Sequence, residues 1–171
     1  MKFSPQEKSF KGETDIWLTP KNVLDDLGPF DMDPCAAPEP RPWATASKMV
    51  SLPQDGLTEP WEGFIWLNPP YGPRMFEWVQ RLALHGNGIA LLFARTETSA
   101  FMENVFKHAT GLLFLRGRLA FHYPDGKRAK NSAGAPSVLV GFGAEAFARL
   151  QNSTLAGFLV EPLVETGKFS K

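Results

Sequence analysis

Apolar residues in this chain come in short runs set apart by turn-forming residues, and their spacing switches between continuous blocks and a helical period. Val23, Leu24 and Leu27 share one helical face, and Thr19-Pro20 before them reads as an N-cap with proline at the first helical position. Residues 30–33 read as a short buried strand ending in a carboxylate. Phe64-Ile65-Trp66-Leu67 reads as another buried strand, stopped by Pro69 and Pro70, which offer no N–H to a ladder. Pro73 opens a predicted helix through His85, with Phe76, Val79, Leu82 and Ala83 on one face. Residues 89–94, 112–115, 138–142 and 155–160 read as strands, and 119–122 as a strand or turn. Phe101, Val105, Phe106 and His108 suggest a helix, and residues 145–150 a short one. Residues 36–60, rich in Pro, Ser, Thr and Asp, predict long loops with a little helix. Residues 123–135 predict a basic, mobile loop.

Strands alternating with helices predict an α/β fold with a mostly parallel sheet, in which the crowded late strands include an antiparallel pair. In such sheets ligands sit at the carboxyl ends of strands, where Asp33 and Asn68 both fall. The 171 residues suit one domain, 1–171, with 1–14 expected to be loosely ordered until Trp17 docks.

Composition narrows the class. Hydrophobic content of 43% and charged content of 21% fit a soluble globular protein. No apolar run approaches the roughly 20 residues of a membrane span, and the polar start lacks a signal-peptide core. One cysteine rules out an internal disulfide framework and suggests a reducing compartment, so the expected location is the cytoplasm. Net charge is zero but unevenly spread: residues 1–60 carry a net of −4 and residues 95–130 a net of +4. Such a division suits a cofactor side and a phosphate side, and equally a solvated mix of charges.

The chemistry concentrates at Asn68-Pro69-Pro70-Tyr71. The side-chain oxygen of Asn68 and the carbonyl of Pro69 can each accept a hydrogen bond from an exocyclic amino group. That pair draws the amine's hydrogens aside and localises its lone pair. Tyr71 can stack on the same flat ring, as a pocket for an extruded base needs. Asp33-Pro34-Cys35-Ala36 offers a strand-end carboxylate followed by small residues, which lets a cationic small molecule approach the backbone. Cys35 reads as a small buried residue near a ligand rather than as a nucleophile. Asp55-Gly56-Leu57 can accept from a cofactor's amino group or form an Asx turn. Arg95 can hold a phosphate or pair with Glu97, and Thr98 can cap the next helix. Arg116-Gly117-Arg118 is a second basic pair, and Lys127, Arg128 and Lys130 read as a backbone-contact patch. The three histidines lack metal-ligand spacing, and the chain has no Walker-type loop and no GxGxxG.

Taken together these residues resemble the phage-type DNA N6-adenine methyltransferases, the small Dam family of phages and prophages. Trp17-Leu18-Thr19-Pro20 is similar to the family's N-terminal cofactor motif, Asp31-Met32-Asp33-Pro34-Cys35-Ala36 to its Asp-Pro motif, and Asn68-Pro69-Pro70-Tyr71 to its catalytic motif. Asp55-Gly56-Leu57 with Trp61, residues 94–98 and residues 117–121 also resemble family blocks. The resemblance implies a Rossmann-like fold dependent on S-adenosyl-L-methionine (SAM), with an antiparallel strand near the C-terminus. It implies Trp17, Thr19, Pro20, Asp33, Pro34, Cys35, Ala36, Asp55, Gly56, Leu57 and Asn68 around the cofactor, with Asp33 near its methionine end and Asp55 near its adenine. Tyr71, Arg95, Arg118, Lys127, Arg128 and Lys130 would meet DNA. Cys35-Ala36-Ala37-Pro38 replaces the usual glycine-rich loop, and Glu39 is a candidate for the cofactor ribose. The expected product cofactor is S-adenosyl-L-homocysteine. The expected partner is DNA, with no membrane, no metal and a monomer or weak homodimer. The same tetrad occurs in enzymes that methylate RNA adenines or protein glutamines.

Overall fold

The structure, a computed structural model, describes residues 16–162. The expected loosely held segment 1–14 lies outside these residues. Seven strands form one sheet: β1 (Met32–Asp33), β2 (Lys48–Met49), β3 (Ile65–Leu67), β4 (Gly88–Phe93), β5 (Gly111–Leu115), β6 (Ser137–Phe142) and β7 (Gly157–Val160). Their order is β2-β1-β3-β4-β6-β5-β7. The pairs β1·β2, β1·β3 and β3·β4 are parallel. The pairs β4·β6, β5·β6 and β5·β7 are antiparallel. Five strands therefore share one direction and two, β6 and β7, run against it. The expected antiparallel strand near the C-terminus is present as β6, and β7 adds a second reversed strand on the free edge of β5.

Helices α1 (Lys21–Leu27) and α4 (Ala144–Gln151) cover one face, and α2 (Met75–His85) and α3 (Ser99–Phe101) cover the other. α3 runs on into a π-helical stretch, Met102–Phe106. Coverage on both faces explains the near-continuous apolar strands. Along β3, Ile65 and Leu67 pack with Trp78, Val79 and Leu82 of α2, whereas Trp66 packs with Val23, Leu24 and Leu27 of α1. Alternation on a pleated strand produces this division. α2 ends at Gly86, whose φ of 74° closes the helix in the left-handed region.

Three local expectations are corrected. α1 begins at Lys21, and Pro20 is extended at ψ 133° in the cap position with no side-chain cap. The side chain of Thr19 is buried at the cavity described below instead. Segment 36–60 contains no helix; it contributes β2, a two-residue strand beside β1. Segment 123–135 opens with a small hairpin, closed by a bridge between His122 and Arg128. His122 also pairs with Leu18, which fixes the N-terminal segment against that hairpin. Residues 119–122 thus form isolated bridges rather than a strand of the sheet.

β1 is the point where the sheet divides. The chain leaves it toward β2 on one side, then crosses to β3 on the other. Loops leaving the carboxyl ends of β1 and β3 diverge there, and such a switch point leaves a crevice. None of the described helices is long and apolar enough to cross a membrane.

Candidate active site at the carboxyl edge of the sheet

The crevice is a cavity of about 380 Å³, within the usual range for small-ligand pockets. β3 delivers Asn68 to it directly. Asn68 and Pro69 lie on the cavity wall with Pro70 and Tyr71. The side-chain oxygen of Asn68 is buried and has no hydrogen-bond partner among the described residues. A buried acceptor left unpaired costs about 1–3 kcal/mol, a cost that a ligand's N–H can remove. Tyr71 is 43% exposed. Its ring stacks on Phe93 at the end of β4, with centroids 4.3 Å apart and planes 17° from parallel. That separation holds one face of Tyr71 and leaves the rest of the ring open.

β1 delivers Asp33 to the same wall. Its carboxylate is almost fully buried. One oxygen accepts from the backbone N–H of Cys35 at 3.0 Å, and the other accepts from the hydroxyl of Thr45. Burial pushes its pKa up to about 6, against the pull of these donors and of the nearby Arg41 guanidinium. The thiol of Cys35 donates to the backbone carbonyl of Asn68 at 3.2 Å. Burial, with the Asp33 carboxylate, holds that thiol well above its ordinary pKa. The thiolate that a nucleophilic role needs is therefore disfavoured, and Cys35 serves instead as the link between the two strand ends.

The third wall is the 55–61 loop. Asp55 accepts from the backbone N–H of Leu57 at 3.0 Å, so the Asx turn forms while the residue still lines the cavity. Gly56 passes so close to Pro34 that a Cβ would lie 1.8 Å from the Pro34 carbonyl oxygen. No other residue fits there. Trp61 donates from its indole to the Gly56 carbonyl at 2.8 Å. Arg81 of α2 donates to the carbonyls of Leu57 and Glu59 and lies over the Trp61 ring at 5.1 Å.

Trp17, Thr19, Pro34 and Ala36 line the cavity with Asp33, Cys35, Asp55, Gly56 and Asn68. Pro20 and Leu57, expected at the same place, do not line it. Glu39, a candidate for a ribose, has both oxygens engaged by Arg41. Arg95, Arg118, Lys127, Arg128 and Lys130 are exposed and lie outside the cavity. Lys127 is ion-paired with Asp125 at 2.8 Å, which weakens it as a phosphate contact. Among the described residues Arg95, Arg118, Arg128 and Lys130 have no ion pair, so the expected alternative of an Arg95–Glu97 pair does not form. Thr98 caps α3 by accepting from the Phe101 N–H.

The sequence pattern did not point to Arg41, Trp43, Thr45, Trp66 or Arg81. Arg41, Trp43, Thr45 and Arg81 reach the site through contacts that carry no local spacing, whereas Trp66, two positions before Asn68 on β3, reads from the sequence as a core residue of its apolar run. Among the described residues no group of three or more His, Cys, Asp or Glu side chains could hold a metal ion.

Neither a curated protein nor a solved structure matches the chain. A family model described as DNA N-6-adenine-methyltransferase (Dam) matches residues 6–153. That match takes in the whole cavity wall, from Ile16 to Trp78, and the basic segment beyond it, and the chain belongs to the DNA N-6-adenine-methyltransferase (Dam) family.

Proposed function

We propose that the protein methylates the exocyclic amine of adenine in DNA, on a base extruded from the stack, with SAM as donor. The observation that carries this reading is the unpartnered, buried Asn68 oxygen at the end of β3, beside an open Tyr71 ring. The family match supports the reaction class. Five strands running one way, with β6 reversed between β4 and β5, support a Rossmann-like methyltransferase sheet.

The cavity residues fit the cofactor. SAM is a cation at sulfur, and Asp33 is a buried carboxylate whose ionised form gains from a cation beside it. When bound, SAM supplies an activated methyl carbon. Asp33, Pro34, Asp55 and Gly56 would hold it between the ends of β1 and β3, with Trp17 and Thr19 lining the same cavity.

The chain's own groups do the rest. Asn68 Oδ1 and the Pro69 carbonyl accept both hydrogens of the adenine amine, which leaves the nitrogen lone pair directed away from the ring plane. The same oxygens stabilise the positive charge that develops on nitrogen, an electrostatic effect worth most in a water-poor site. Tyr71, braced by Phe93, stacks on the base and fixes its plane. Orientation of this kind supplies a large part of the rate. No strong base is needed, because the proton leaves after the methyl has transferred.

The specificity proposed is short or loose, with contacts from the 36–60 loops and the 123–135 hairpin region. Incubation with labelled SAM and unmethylated duplex DNA, RNA or protein, followed by nucleoside and amino-acid analysis, tests the reading. N6-methyladenine from DNA is expected. N4-methylcytosine, or label only in RNA or in protein glutamine, overturns it. Asn68→Ala is expected to lower kcat about 10²–10³-fold while S-adenosyl-L-homocysteine still binds. Unchanged turnover would instead favour a module that binds without catalysing.

A further inference from the structure

Two buried polar atoms without a hydrogen-bond partner among the described residues stand two positions apart in the chain: Trp66 Nε1 and Asn68 Oδ1. Positions i and i+2 of an extended segment share a face. Both residues line the cavity, whereas Leu67 between them does not. The Asn68 oxygen is taken up by the substrate amine in the reading above. Trp66 has no such assignment.

Trp66 is fully buried and packs beside Phe30, with ring centroids 5.1 Å apart. Phenylalanine or leucine would serve that apolar contact without bringing a polar atom into the interior. An indole N–H is a donor only, so no lone pair of its own can satisfy it. Leaving it unpaired costs free energy in the free protein. The neighbouring strand supplies the complementary group, because β1 pairs with β3 and ends in the Asp33 carboxylate, which accepts. The cavity therefore offers an acceptor from β1 and a donor from β3 to one bound molecule.

We infer that Trp66 is a ligand-binding residue: its Nε1–H donates to a lone-pair-bearing oxygen or nitrogen of the bound cofactor. The inference rests on reading the cavity as a SAM site. It makes Trp66 a contributor to cofactor affinity rather than a core residue alone.

Replacing Trp66 with β-(3-benzothienyl)alanine keeps the bicyclic shape and puts sulfur where the N–H was. Binding of S-adenosyl-L-homocysteine to the full chain is measured by calorimetry for wild type, this variant and Trp66→Phe. Wild type is expected to bind, and both variants to bind about five- to tenfold more weakly. The melting temperature of the free benzothienyl variant is expected not to fall, since only an unpaired donor has gone. Equal affinity of wild type and the benzothienyl variant overturns the inference, and that variant decides even where Trp66→Phe folds poorly. Absence of binding by well-folded wild type would instead overturn the cofactor reading, along with the contact that depends on it.

Discussion

Asp33 is a carboxylate that the fold keeps almost out of water, and its cost is visible in its titration. Burial raises its pKa from the ordinary 3.8 to about 6, although Thr45, Cys35 and Arg41 oppose the rise. Between those two values the folded chain keeps a proton that the unfolded chain has lost. Stability contributed by this group is therefore fully present below about pH 4 and falls as pH rises to about 6. Asp33→Asn removes that loss. Above pH 6 the variant is expected to be more stable than wild type, by on the order of 3 kcal/mol, with the gap closing toward pH 4. Cofactor affinity is expected to move the other way, because a cation needs the ionised form. Wild type should bind SAM more weakly below about pH 6, and Asp33→Asn weakly throughout. Melting curves and binding isotherms across this range check both signs; parallel stability curves for the two proteins would count against the assignment. Asp33 and Asn68 were legible in the sequence because each ends an apolar run. Thr45 was not, since twelve residues of loop separate it from the carboxylate it serves.

At the scale of elements, α2 does more than cover the sheet. It starts just after the Asn68–Tyr71 corner and presents Arg81 to the 55–61 loop, behind the cavity wall that this loop forms. Arg81 holds the carbonyls of Leu57 and Glu59, Trp61 holds Gly56, and Gly56 rests on Pro34. The helix that follows one wall of the cavity thus fixes another. Arg81 acts here as a positioning residue. Arg81→Met keeps the aliphatic stem but loses both donated hydrogen bonds, and is expected to raise the KM for SAM about tenfold with kcat nearly unchanged. Arg81→Lys, which cannot bridge two carbonyls as a planar fork, is expected to restore only part of that affinity. Equal losses in kcat and kcat/KM would place the fault at the reacting centre instead. Helices and long strands were readable because their apolar spacing is local: α2, β4 and β6 all form close to where the pattern placed them. β2 was not readable. Two residues, one of them exposed, form a strand only because β1 lies beside them, and tertiary pairing of this kind leaves no periodic trace. The cap at Thr19 failed for a related reason, since burial at the cavity wall took its side chain away from the helix.

Over the whole molecule, strand direction decides where charge emerges. β4 and β5 both run antiparallel to β6, so their carboxyl ends share the edge that carries Asp33 and Asn68. Arg95 follows β4 and Arg116 and Arg118 follow β5, while Arg128 and Lys130 precede β6 at that same edge. All five are exposed and have no ion pair among the described residues. The net charge of zero conceals this arrangement, because Lys21, Arg74 and Arg149 are matched by acids one helical turn away. The basic segment was visible in the sequence; that its cations reach the edge carrying Asp33 and Asn68 depends on a strand order that no local pattern encodes. Phosphate contacts reveal themselves through salt, since each one releases counterions and steepens the fall of log K with log salt by about 0.9 for duplex DNA. Arg118→Ala, Arg128→Ala and Lys130→Ala are each expected to weaken DNA binding and to flatten that slope by about one contact, with S-adenosyl-L-homocysteine affinity unchanged. Lys127→Ala should flatten it less, because Asp125 already neutralises that ammonium. Lys21→Ala, paired with Asp25 on α1, should leave the slope alone. Binding titrations over a range of salt separate these outcomes: identical slopes for the Arg118 and Lys21 variants would mean that the DNA backbone lies across some other face, and that the charge division along the chain has no part in holding it.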